Sequence, residues 1–159
     1  MLPERVGNGM WWGTLWDMSE LNPEVFRFLF ALGWIDGELR ESEAHVILEA
    51  ARAEGFDEAT LTTLEQCAHR PVDFTEIDQT ALDADSRLYV YAISSWIAHT
   101  DGRVSAAEQA ALHAVATLVG VTGMGRSEMD GVVQDFLGRS FDALLLRDAI
   151  RKRARSLQP

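Results

Sequence analysis

A single cysteine, Cys67, stands among 159 residues, so the chain can form no disulfide within itself and no thiolate-rich metal site. Positive charge is scarce too. Fourteen Lys and Arg against 25 Asp and Glu leave a formal net charge of -11, and such a surface repels nucleic acid and anionic membrane. No run of 18 apolar residues occurs, which excludes a membrane-spanning helix. The first residues lack the basic start and apolar stretch of a secretory signal, so a cytoplasmic protein is expected. Also missing are H-E-x-x-H, paired cysteines, G-x-S-x-G, a P-loop and G-x-G-x-x-G. Gly120 to Gly125, GVTGMG, has no lysine and no preceding strand, and reads as a helix-breaking connection. No enzyme is expected.

What is present is ordinary globular composition, 47% apolar and 25% charged, sufficient for one self-contained core. No segment alternates in the manner of a strand, whereas helical periodicity recurs throughout. Residues 22 to 36 open with Asn22 as N-cap and Pro23 in the first turn, and apolar residues surround the helix, the pattern of a centrally buried element. Residues 85 to 101 show the same all-round apolarity. Helices are also expected from Asp57 to His69, with Leu61, Leu64 and Cys67 on one stripe, and over a shorter stretch from Phe74 to Leu82. Ser127 to Leu137 is amphipathic, and from Phe141 a last helix carries Leu144, Leu145 and Ala149 inward.

Each of the two apolar helices runs into Asp-Gly, and a constant offset of 65 residues aligns the two stretches. Asp36 falls on Asp101, Gly37 on Gly102, Leu39 on Val104, Glu43 on Glu108, Ile47 on Leu112 and Gly55 on Gly120. An internal duplication accounts for this. It predicts an all-α, compact helical bundle of two pseudo-symmetric helix/Asp-Gly/helix units plus flanking helices. The expected organisation is a Trp-rich arm over 1–21, a duplicated helical domain over 22–138, and a C-terminal helix with a basic tail over 139–159.

The glycines read as C-terminal helix stops. Ser105 and Glu108 form an S-x-x-E capping box; in the first copy Arg40 stands at the cap, which loses the side-chain acceptor while Glu43 keeps its place. The aspartates face the negative end of a helix dipole and need compensation. Two readings stand: local bonds to loop N–H groups, or a cation shared with the glutamate seven residues on. D-G-x5-E shares half of the EF-hand pattern, but with Gly37 or Gly102 as its sixth residue, Leu32 and Trp34, or Ile97 and His99, occupy the first and third ligand positions. Two standard calcium loops are thereby excluded.

The arrangement resembles the tellurite-resistance protein TerB and its TerB-like relatives, all-helical proteins in which A-x-x-D-G-x-x-x-x-x-E recurs in two halves. The matching stretches are Gly33 to Gly37 with Glu43, and Ala98 to Gly102 with Glu108, within residues 22 to 138. The resemblance implies a non-enzymatic, acidic cytoplasmic module of chemical-stress resistance with a divalent-metal role and links to membrane-associated partner proteins. Carried over by residue, the implied ligands are Asp36, Glu43, Asp101 and Glu108, hard oxygen donors suited to Ca, Mg or Mn.

His99, two residues before Asp101, reads as a helix-end histidine, with a nitrogen ligand that would favour manganese or zinc as the alternative, and Cys67 as a buried, inert thiol. The arm, with Trp11, Trp12 and Trp16 beside Met10, Leu15 and Met18, needs a burial site: it packs back on the bundle or docks in a partner's groove. An adaptor that uses this arm or the acidic face without metal is the alternative function.

Overall fold

A computed structural model describes residues 21–35, 37–100 and 104–157. These form seven α-helices and no strand: α1 Pro23–Gly33, α2 Glu41–Ala53, α3 Glu58–Cys67, α4 Ala84–His99, α5 Ala106–Val119, α6 Gly123–Phe136 and α7 Ala143–Ser156. Side-chain caps start most of them. Asn22, Asp57, Asp83 and Asp142 each accept from a backbone N–H in the first turn of α1, α3, α4 and α7, satisfying donors that the helix cannot.

The 65-residue spacing governs more than the two apolar helices. Glu41 and Ala106 start α2 and α5, and Glu58 and Gly123 start α3 and α6, so each half is a three-helix unit rather than a hairpin. Core positions follow the same register: Val25 and Val90, Ile47 and Leu112, Ala51 and Ala116, Leu64 and Met129 are all buried. In each half the central helix packs on the two that follow it, α1 on α2 and α3, α4 on α5 and α6. The centres α1 and α4 also touch each other, and α7 spans the halves by packing on α6, α4 and α2.

The core sits around α1 and α4. Phe26 meets the rings of Phe56 and Tyr89 edge-on, with centroids at 5.6 and 5.9 Å. Phe28, Leu29, Phe30, Val90, Ala92 and Ile93 are buried with it, each large side chain contributing about 1.5–3 kcal/mol.

Four expectations are corrected. The stretch Phe74 to Leu82 is not one helix but two 3₁₀ turns, Phe74–Glu76 and Gln79–Ala81, because Asp73 and Asp78 each capture the N–H two residues ahead and restart the chain. The glycine run is only partly a break: Gly120 takes a left-handed φ of 73° and ends α5, whereas Thr122 is an extended N-cap and α6 starts at Gly123. In α7, Leu144 and Leu145 are 49% and 53% exposed, and Leu146, Ile150 and Ala154 point inward. That i, i+4, i+8 row is the buried one in a helix that packs on α2, α4 and α6. Finally, α1 ends at Gly33, not at Asp36, and Gly37 (φ 86°) closes a separate turn by donating to Trp34 O at 2.7 Å.

Candidate functional site

The helices α2 and α5 lean on α1 and α4 respectively, and between them lies a groove of about 1160 Å³. Its floor comes from the C-terminal halves of the central helices, with Leu29 and Leu32 from α1 and Trp96 and Ile97 from α4. The N-terminal halves of α2 and α5 supply the walls. Leu32 and Ile97, Glu43 and Glu108, Val46 and Ala111, Ile47 and Leu112 are pairs at the 65-residue offset, and both members of each line the groove. Phe141, stacked at a tilt on Trp96 with centroids 4.9 Å apart, closes one side.

The charged residues that line the groove are mostly acidic among those described. Glu38, Glu41, Glu43 and Glu108 line it, and among the described residues one guanidinium, Arg40, and two imidazoles, His45 and His69, stand with them. Glu43 Oε1 accepts from the Arg40 N–H at 3.0 Å, but the guanidinium has no acceptor to return, so the first cap is half a box. Glu108 Oε1 accepts from Ser105 N–H at 3.0 Å while Ser105 Oγ accepts from Glu108 N–H at 3.1 Å, completing the second. The unequal caps follow directly from Arg40 against Ser105.

The structure therefore brings Glu43 and Glu108 to one groove. Asp36 and Asp101, the other two residues of the expected cation site, lie outside the described residues, as do Trp11, Trp12 and Trp16. Among the described residues no group of three His, Cys, Asp or Glu stands close enough to hold a metal. One capping carboxylate per turn falls well short of the oxygen shell that calcium takes, so a cation there depends on the aspartates.

His99 Nδ1 lies 2.7 Å from Ser95 O, a bond within its own helix that suits a helix-end histidine. Cys67 is buried, its Sγ 3.6 Å from Thr63 O, and burial pushes its thiol up despite the nearby Arg27. Trp34 Nε1 donates to Cys67 O at 2.8 Å and so pins the end of α1 to α3. Gly33 has its own reason to differ from Ala98: a Cβ there would overlap Leu39 Cδ1.

Two polar clusters were not foreseen. Glu54 is buried at the end of α2, its carboxylate 3.1 Å from Arg147 Nη1 and 3.4 Å from the Leu21 N–H. Its partner by offset is the apolar Val119, and a carboxylate in an apolar slot is a signal the sequence carried. Burial, then the Glu54 charge, drives the Tyr89 phenol beside it strongly upward. In the second half Tyr91, at the offset position of Phe26, donates to Asp130 Oδ1 at 2.6 Å and accepts from Arg126 Nε at 3.1 Å. Burial and that carboxylate push its phenol up to about 12. Neither tyrosine lines the groove.

No protein-family model, no curated protein and no solved structure matches the chain, and the groove stands on its own geometry.

Proposed function

We propose that this chain is a non-enzymatic, TerB-like helical module that acts in chemical-stress resistance by docking a partner protein in the groove between its two halves. The observation that supports the reading is the groove itself, an apolar floor walled by equivalent positions of both halves. Apolar concavities of this kind serve binding. A photo-crosslinker placed at Ala44, on the groove, tests it against one at the exposed Asp135 on α6. Partner capture from Ala44 alone, abolished by filling the groove with Ala111→Phe, is the expected result; equal capture from both positions counts against docking.

A divalent cation at Asp36, Glu43, Asp101 and Glu108 is the second reading, favoured by the fact that both glutamates line one groove. Native-state binding raises thermal stability by mass action, so melts with millimolar Ca, Mg or Mn are the check. An increase that disappears in the Asp36→Asn/Asp101→Asn double variant supports the cation, and unchanged melts remove it. The Trp-rich arm offers a metal-independent route: deletion of residues 1 to 18 with full partner capture would exclude it.

A further inference from the structure

From the groove's chemistry we infer its occupant: a short amphipathic helix of a partner protein, with two or three large apolar anchors bracketed by Lys or Arg. This rests on the docking function above and specifies what docks.

The backbone sets the first constraint. Both walls are helices, and the described residues contain no strand edge to which an extended peptide could bond. Side chains must therefore make the contacts, and the occupant has to satisfy its own N–H and C=O groups, which a helix does.

Length sets the second. The first wall runs from Glu41 to Leu48, eight residues and so seven steps, or about 10 Å at the helical rise of roughly 1.5 Å. That equals the distance from i to i+7, enough for anchors at i, i+3 or i+4, and i+7.

Charge sets the third. Among the described lining residues four glutamates stand with one arginine and two histidines, on a chain of net charge -11, so basic residues beside the anchors gain and acidic ones lose. The same sign argues against anionic lipid. It also argues against the chain's own arm, where Glu4, Asp17 and Glu20 outnumber Arg5 among residues 1–20.

The test uses the full chain and labelled peptides of about 15 residues, long enough for partial helix. One carries Leu at i, i+4 and i+7 with flanking Lys; a second has Glu for every Lys; a third keeps the Lys but scrambles the Leu. Fluorescence anisotropy should show the Lys peptide binding about tenfold tighter than either control, with affinity falling as salt rises from roughly 0.05 to 0.5 M. Ala111→Phe and Glu41→Lys should each weaken it about fivefold or more with circular dichroism unchanged.

Equal binding of the Glu peptide would overturn the basic occupant, and equal binding of the scrambled peptide would reduce it to surface charge. If no peptide binds while Ala44 still crosslinks a partner, the occupant is wrong and docking stands; if Ala44 also fails, docking falls with it. Self-association blocked by Ala111→Phe would assign the groove to a second copy and overturn the proposal.

Discussion

The Arg147 guanidinium meets the Glu54 carboxylate at 3.1 Å with 1% of the Glu54 side chain exposed, which ties α7, the helix that spans both halves, to the end of α2 in the first. Removing one member strands a buried charge. Arg147→Met should cost about 3–5 kcal/mol, whereas Glu54→Val/Arg147→Met should recover most of it, as replacing a buried ion pair by apolar side chains often does and as the buried Val119 at the equivalent position of the second half suggests. Urea denaturation of the two single variants and the double closes the cycle. A double variant as unstable as Arg147→Met would show that the pair specifies packing that hydrophobes do not replace.

The unequal caps predict opposite responses. Ser105→Ala removes the acceptor for the Glu108 N–H and should cost about 1 kcal/mol; Arg40→Ser supplies one to the Glu43 N–H and should gain a comparable amount. Thermal melts of both variants decide it, and a neutral Arg40→Ser would show that the Arg40 stem contributes by packing instead.

Both tyrosines hold their protons tightly in the fold, Tyr91 up to about 12. A raised folded pKa gives stability that is whole below the ordinary phenol value near 10 and is lost as pH climbs through the folded one. Absorbance at 295 nm should therefore show no tyrosinate before alkaline unfolding begins. Tyr91→Phe should cost about 1–2 kcal/mol at neutral pH, through the lost bonds to Asp130 and Arg126, and should soften the alkaline decline.

At the acid end the sign reverses. The Thr60 hydroxyl and N–H hold the Asp57 carboxyl below its usual range, so its cap stabilises above that range and fails as pH falls through the lowered value. Asp57→Asn keeps an acceptor and cannot titrate. Melting temperatures of the two chains should agree at neutral pH and diverge in acid, with the native chain lower.

Helix type and the duplication were legible because period and offset are local properties of the chain. Asn22-Pro23, Asp57 and Ser105-x-x-Glu108 each announced a helix start that the structure contains. The bounds of α6 and the face of α7 were not, since Gly123 and Leu145 obey their neighbours rather than their propensities. The groove was half legible: Glu43 and Glu108 were singled out for their spacing from Asp-Gly, but that both halves turn the same face to one space depends on how α1 and α4 pack. Glu54 shows the limit most clearly. Its pairing with Arg147 joins residues 93 apart and leaves no periodic trace.

A groove with two matched walls would accept its ligand equally well in either direction. Arg40 and His45 line it from the first half, yet their offset counterparts Ser105 and Ala110 are not among the lining residues of the second. The two walls are thus unlike in charge, so a helix docked as proposed would meet a different surface in each direction, and one direction should be preferred.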